Sequence, residues 1–352
     1  MSENTVVRFV KRPQGFVDES SFAIESAPMP TPADGQVLLR AFYHSLDPYM
    51  RPRMTEMDSY VPPFDVGQIM SGRGMGVVVA SRHPEYKDGD VVIGMLQWAG
   101  YQAADPGGLM RKVESGAAPW KDYLGVLGSA SLTAYVGLKL IGEPRGGETL
   151  YVSAASGAVG SIAAQLGKIM GCRVVGSAGT DDKVAWLKSE LCLDAAFNYR
   201  TAKSMDAALA EHCPEGIDID FENVGGDTLQ AALDHIRPHG RIIMCGAISE
   251  YNQPGSGLKR IFRIVSHKVR MQGFIVSEHV DMMPAFTADM AAWLKDGKIK
   301  YRETIVEGIE NMPRALVGLF RGENFGKLIV RVGDEPHQTV KAAVAPASRG
   351  SA

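Results

Sequence analysis

VSAASGAVGSIAAQLGK, residues 152–168, is the stretch on which the fold turns. A run of small residues follows an apolar segment and leads into one with helical spacing. Gly157 and Gly160 hold the last two positions of a G-x-G-x-x-G turn, and Ala155 stands where the first glycine belongs. A pyrophosphate has to approach backbone N–H groups at a helix N-terminus, so the side chains there must be small. Ala154, Ala155, Ser156, Gly157, Ala158 and Gly160 meet that demand. So short a spacing is weak by itself, and its place between a strand and a helix is what gives it weight. A tight strand-to-helix corner without a ligand is the alternative.

Outward from this turn the texture is an alternation. ETLYVSA precedes it as an apolar strand, and Ile162, Leu166 and Ile169 follow at i, i+4 and i+7 on one helix face. CRVVGSAG is the next strand, and DDKVAWLKSE the next helix, with acidic residues at its positive end. AAFNY, MDAALAEHC, IDIDFENVGG, LQAALDHI, GRIIMCGAIS and VRMQGFIVS continue the series. Such a series predicts an α/β fold with a doubly wound parallel (Rossmann) sheet.

Up to about residue 125 the chain instead carries short β-like runs led by turn residues, GQVLLRAFYHS, GRGMGVVVAS and GDVVIGMLQWAG. These predict a mostly antiparallel, barrel-like domain. KYRETIVEGIENMPRALVGLFRGENFGKLIVRV reads as strand, helix and strand, too little for a core of its own, and is assigned back to the first domain. The expected division is 1–125, 126–300 for the nucleotide-binding domain, 301–335 returning to the first domain, and a flexible tail over 336–352.

Composition narrows the function. The chain has 352 residues, 45% of them hydrophobic and 22% charged, with a formal net charge of −3. No basic field invites nucleic acid or an acidic membrane surface, which leaves small molecules and protein partners. No stretch approaches the roughly 20 apolar residues of a membrane helix. MSENTVVRFVKRPQG lacks the apolar core of a signal peptide, so a cytoplasmic location is expected. Cys172, Cys192, Cys213 and Cys245 are scattered and read as reduced thiols.

The second strand decides between NAD and NADP. An NAD site wants an acidic residue about 20 positions on, for the ribose 2′-hydroxyl. Ser177, Ala178, Gly179 and Thr180 occupy that strand end, and Lys183 follows one turn later. Small residues leave room for a 2′-phosphate and Lys183 supplies its point charge, so NADP(H) is the expected cofactor. Asp181 and Asp182 fit this only if they face solvent. A solvated helix lysine is the plainer reading of Lys183.

AASGAVGS, SAGTDDK, NYR, NVGG, CGAISEYN, ENFGKLIV, HSLDPYMR and GQIMSGRGMGVVVAS, taken in order, resemble the zinc-independent medium-chain dehydrogenase/reductases. Within them they resemble the prostaglandin reductase and leukotriene B4 12-hydroxydehydrogenase family, nearest its curcumin-reductase branch, over about residues 35–332. The resemblance implies a GroES-like first domain, a homodimer and a set of cofactor contacts. Gly157, Ala158, Val159 and Gly160 would hold the pyrophosphate. Lys183 and Tyr199 would meet the adenosine phosphate end, lined by Ser177 and Gly179. Asn223 would reach a ribose or phosphate. Cys245, Gly246, Ala247, Ile248, Ser249 and Tyr251 would pass the nicotinamide ribose. Phe274, Ile275 and Val276 would flank the nicotinamide, and Asn324 would bond its edge. Thr133 is kept in GSASLTAY, where the family often has Met-Pro-Gly before Leu-Thr-Ala-Tyr, and Arg200 replaces a commoner lysine.

Zinc is not expected. All four cysteines lie at or beyond residue 172, and His44 and Asp47 lack the cysteine partner of a catalytic set. His44 reads as a satisfied structural histidine. Without a Lewis acid, reduction of a carbon–carbon double bond conjugated to a carbonyl is easier to support than alcohol oxidation. Charge then collects on an enolate oxygen, which hydrogen-bond donors stabilise. Tyr251 is the first candidate donor and Tyr49 the second, with a core tyrosine as the alternative for Tyr49. Arg51 would attract a carboxylate-bearing substrate or else form a surface ion pair. Met70, with Met50, Met54 and Met75, would line an adaptable apolar pocket or else fill the core. The expected partner is a small enone or enal. A quinone reductase of the same fold is the enzymatic alternative, and an NADPH-binding sensor or structural protein the alternative of another class.

Overall fold

The computed structural model describes residues 3–56, 59–108, 110–114, 116–253, 255 and 257–338. Among these the chain forms two compact units, residues 3–124 with 303–338, and residues 125–302.

The first unit opens with strands β1 (Glu3–Phe9), β2 (Phe22–Pro28), β3 (Val37–Ser45), β4 (Ser71–Ser81), β5 (Val91–Gln97), β6 (Tyr101–Ala104) and β7 (Arg111–Lys112). The second carries α1 (Ser129–Val136), β8 (Thr149–Val152), α2 (Gly160–Ile169), β9 (Arg173–Ala178), α3 (Asp181–Ser189), β10 (Ala195–Asn198), α4 (Met205–His212), β11 (Ile217–Glu222), α5 (Gly226–His235), β12 (Ile236–Met244), α6 (Phe262–Ser266), β13 (Arg270–Gly273) and α7 (Met283–Lys295). The chain then returns to the first unit with β14 (Glu303–Glu307), α8 (Met312–Arg321) and β15 (Lys327–Arg331).

In the first unit, β3, β4 and β5 pair antiparallel, and β15 joins β3 antiparallel through Ile329 opposite Ser45. The sheet order is β14-β15-β3-β4-β5-β7, with β6 on β3 and β1-β2 as a separate pair. Aromatic and sulfur side chains fill it: Phe9, Phe22, Trp98, Met50, Met54 and Met70 make one buried cluster with Leu316 and Val330 of the returning segment. The return is needed because α8 and β15 bury their apolar faces there and nowhere else.

The second unit is a six-stranded parallel sheet in the order β10-β9-β8-β11-β12-β13. Chain order reverses between β8 and β11, the switch point at which ligands of doubly wound sheets bind. Helix α2 is packed almost throughout, with Ile162 and Leu166 buried. Side-chain caps start the next helices: Thr180 accepts the N–H of Lys183 on α3, and Ser204 accepts that of Ala207 on α4.

One expectation about the tail needs correcting. Its described beginning is anchored, not loose: Trp120 Nε1 donates to the Pro336 carbonyl (3.1 Å), and Gln338 Nε2 to that of Ala118 (2.6 Å). The rest of the expected flexible segment, 339–352, lies outside the described residues. No helix among the described residues is long and apolar enough to cross a membrane.

Candidate functional site

In the second unit the candidate residues gather at the C-terminal ends of the parallel strands. The turn after β8 reverses tightly because Ala154 takes a left-handed φ of 48°. That conformation favours glycine, and an alanine holds it at a cost of about 1 kcal/mol. The work expected of a glycine at 155 is therefore done one residue earlier, and Ala155 is a buried packing residue. Gly160 starts α2, and a Cβ on it would lie 2.4 Å from the Ala154 carbonyl oxygen. The N–H groups of Ser161 and Ala163 at the start of α2 donate to the Gly157 and Val159 carbonyls (3.0 and 2.9 Å), and this end carries the positive pole of the helix dipole. Gly157, Ala158 and Val159, all part-exposed, border this helix start.

At the end of β9, Gly179 lies under Tyr199, whose hydroxyl would be 2.9 Å from a Cβ at residue 179. Tyr199 is exposed, and the Arg200 guanidinium lies 5.9 Å from its ring centroid. Burial, and then the Arg200 charge, hold the Lys183 ammonium below its ordinary value. Two cations thus share the strand end where an NAD enzyme keeps a carboxylate. Asp182 faces solvent, and Asp181 accepts a hydrogen bond from Asn198 Nδ2 (2.8 Å). Ser177 does not line this place with its side chain: it is buried, and its hydroxyl pairs with that of Tyr151 (2.8 Å).

Between β11 and β12, Asn223 Nδ2 donates to the Ser153 carbonyl (2.8 Å). Gly225 and Gly226, at φ of 78° and 53°, then lead into α5. The chain from Cys245 to Tyr251 lies against this turn: Ile248 N donates to the Asn223 carbonyl, and Ser249 Oγ to that of Val224. The Ala247 N–H donates to the Tyr251 hydroxyl oxygen (3.3 Å), which leaves the phenolic hydrogen to be donated elsewhere. Burial raises the Tyr251 phenol above its ordinary value and pushes the Cys245 thiol up to about 12. Both groups are neutral near pH 7. Phe274, Ile275 and Val276 follow β13 half-buried, with Phe274 against Gly137. Thr133 donates its hydroxyl back to the Ser129 carbonyl within α1 (2.8 Å).

In the first unit, Tyr49 sits in a 3₁₀ turn, Pro48–Met50, introduced by Asp47. Burial, with the nearby Asp47 charge, raises its phenol well above the ordinary value, and it packs against the Phe9–Trp98 cluster. Asn324 Nδ2 donates to the Gly326 carbonyl (2.8 Å), beside a cleft of about 380 Å³ that it shares with Thr304, Asn311 and Glu323.

Burial bears on three further candidates. Arg51 is buried, and its guanidinium donates to the Gly15 carbonyl (2.6 Å). Met70, like Met50, Met54 and Met75, has no exposed surface and fills the core instead of lining a pocket. His44 is structural but unsatisfied, since neither ring nitrogen meets a hydrogen-bond partner among the described residues. Burial pushes it down to about 3, so it is neutral. Asp47 is taken by Lys327 and Ser45, and no group of three or more His, Cys, Asp or Glu among the described residues is placed to hold a metal.

Sequence reasoning missed Ser153, Glu222 and Asp220. Glu222 lay in the quoted IDIDFENVGG, but a carboxylate that ends an apolar strand gives no sign of what it will face.

The chain matches the family described as "N-terminal domain of oxidoreductase" over residues 6–112 and that described as "Zinc-binding dehydrogenase" over residues 158–293. It is 41% identical to the NADPH-dependent curcumin reductase of Escherichia coli over 333 residues, 92% of this chain and 96% of that protein. It is 42% identical to the NADP(+)-dependent 2-alkenal reductase of Nicotiana tabacum over 301 residues, 85% and 88% of the two chains. The crystal structure of CurA from Vibrio vulnificus in complex with NADPH matches with a TM-score of 0.88 at 40% identity, covering 94% of this chain and 100% of that one.

Proposed function

The chain belongs to the zinc-independent, curcumin reductase-like branch of the medium-chain dehydrogenase/reductases, and from that premise we propose that it reduces the carbon–carbon double bond of α,β-unsaturated ketones and aldehydes. It is an NADP-dependent oxidoreductase.

The residues present fit that cofactor. Glycine at residue 160 lets the turn after β8 close onto the start of α2, whose positive end suits a pyrophosphate. Lys183 and Arg200, beside a β9 end whose residues 177–180 carry no carboxylate and with Asp181 held by Asn198, suit a 2′-phosphate, and this cation pair is the observation that carries the reading. Gly157, Ala158, Val159 and Gly160 are proposed for the pyrophosphate and Asn223 for a ribose. The run from Cys245 to Tyr251, with Phe274, Ile275 and Val276, is proposed for the nicotinamide riboside. Thr133 and Asn324 are proposed as further cofactor contacts.

Bound NADPH supplies a hydride for the β-carbon of the substrate. The protein's part is to orient, to exclude water and to receive the charge that gathers on the carbonyl oxygen. Tyr251, neutral and with its hydrogen uncommitted by the Ala247 contact, donates to that oxygen directly or through the ribose hydroxyl. The α-carbon takes its proton from water or through the same relay. Tyr49 is proposed as the second hydroxyl on the substrate side.

The enzyme is proposed to be a cytoplasmic homodimer. Strand β13 ends the sheet with one ladder partner, and Ile261, Phe262 and Val265 beside it are strongly exposed, Phe262 at 72%. Loss of NADPH absorbance with an enone, a quinone and no acceptor tests the function. Turnover confined to the enone supports it, faster turnover of the quinone favours a quinone reductase, and tight NADPH binding without turnover favours a sensor.

A further inference from the structure

The ladder between β8 and β11 ends at Val152 opposite Phe221, one residue short of Ser153 and Glu222. There β8 and β11 part, although Glu222 still pairs with Met244 of β12, and side chains take over. Ser153 Oγ donates to Glu222 Oε1 (2.8 Å). The same carboxylate oxygen accepts the N–H groups of Val224 and of Gly225 (2.9 Å). Ser153 Oγ accepts the N–H of Asn223 (2.7 Å), and Asn223 Nδ2 returns to the Ser153 carbonyl (2.8 Å). The Glu222 carbonyl accepts the N–H groups of Cys245 (2.9 Å) and Gly246 (3.1 Å). Both Ser153 and Glu222 are wholly buried.

The Glu222 side chain therefore joins the turns after β8 and β11 across the point where the sheet order reverses, and its main-chain carbonyl meets the turn after β12. A parallel sheet with both faces covered does not need a buried carboxylate to stay together, and burying one is costly unless its hydrogen bonds are made. Oε1 takes three donors, all from the turns and none from the strand ladder. The carboxylate thus acts on turn spacing.

We propose that Glu222 is a positioning residue: through Ser153 and the N–H groups of residues 224 and 225, it sets the separation of the turns that receive the pyrophosphate and nicotinamide-ribose half of the cofactor, touching no ligand itself. This rests on the NADP reading above. Lys183 and Arg200, at the adenosine end, are tied to β9 and β10 and lie outside the brace.

The experiment compares full-length wild type, Ser153→Ala, Glu222→Leu and Glu222→Gln for binding of NADPH and of 2′-AMP, which carries the adenosine 2′-phosphate and no part of the pyrophosphate. Unsatisfied buried donors cost 1–3 kcal/mol, so Ser153→Ala and Glu222→Leu are expected to weaken NADPH about tenfold or more. Both should leave 2′-AMP binding near wild type. Glu222→Gln, which keeps a carbonyl acceptor, is expected to bind both ligands almost as wild type does. Unchanged NADPH affinity in folded variants would overturn the brace, and so would parallel weakening of both ligands, which marks general loosening. Ser153→Ala, a change of one hydroxyl, decides the matter if Glu222→Leu does not fold. Wild type that fails to bind NADPH would overturn the cofactor reading and the brace with it.

Discussion

Lys327 Nζ lies 2.9 Å from Asp47 Oδ1 and 2.9 Å from the Leu46 carbonyl, and only 5% of Lys327 is exposed. Residues 280 apart in the chain thus form one ion pair, buried at Lys327 and partly exposed at Asp47. Ser45 Oγ also donates to Asp47, so a carboxylate at the end of β3 is held from two sides. The next residues are the turn that carries Tyr49. The segment returning to the first unit therefore adds a strand and also fixes the base of the turn that carries Tyr49.

Lys327→Met should destabilise the protein by about 3 kcal/mol, because breaking a buried pair leaves a charge without compensation. Urea denaturation measures this. Adding Asp47→Asn should recover part of the loss, and a double variant no more stable than Lys327→Met would show that the pair is not the cause.

Lys183→Ala should raise the Michaelis constant for NADPH about tenfold and leave that for NADH nearly unchanged, in line with the loss of one charge-assisted contact. Arg200 keeps part of the phosphate affinity, so Lys183→Ala with Arg200→Ala should lose more. Equal effects on both cofactors would remove the 2′-phosphate assignment.

For Tyr251→Phe the expected result is a fall in turnover of about 100-fold, the usual consequence of deleting one donor to a developing oxyanion. The Michaelis constant for NADPH should change little. Steady-state rates with an enone at saturating NADPH decide it, and unchanged turnover would end the nomination.

Asp220 and Glu222 make stability fall with rising pH. Both are wholly buried, and neither Asp220 oxygen has a hydrogen-bond partner among the described residues. Burial, and then the Glu222 charge, hold Asp220 well above the carboxylate range, and burial pushes Glu222 up to about 7. The folded chain therefore keeps protons that the unfolded chain releases. That contribution is fully present below the ordinary carboxylate range and is lost as pH rises through about 7. Asp220→Asn should flatten the fall in urea midpoint between about pH 5 and about pH 8.5. A wild-type slope retained in the variant would clear Asp220 of the effect.

Phe262→Glu should convert a dimer to a monomer in light scattering, since a charge placed in a buried interface goes unpaired. A wild type that is already monomeric at micromolar concentration would overturn the dimer.

Period and small-residue patterning determined the architecture. The alternation from ETLYVSA to VRMQGFIVS requires a parallel sheet because each helix must cover a strand face, and every strand and helix expected there is present. The tight turn proposed for the cofactor was legible for a similar reason: size restrictions at a helix start are local, and residues 154–160 display them in order. What only the tertiary structure decided is which side chains face each other at strand ends. Arg51 and four methionines look equally at home in a pocket or a core, and burial alone separates the two. Ser153 meets Glu222 across 69 residues, and Lys327 meets Asp47 across 280. Those meetings depend on strand order, a property of the whole sheet that no run of neighbouring residues encodes.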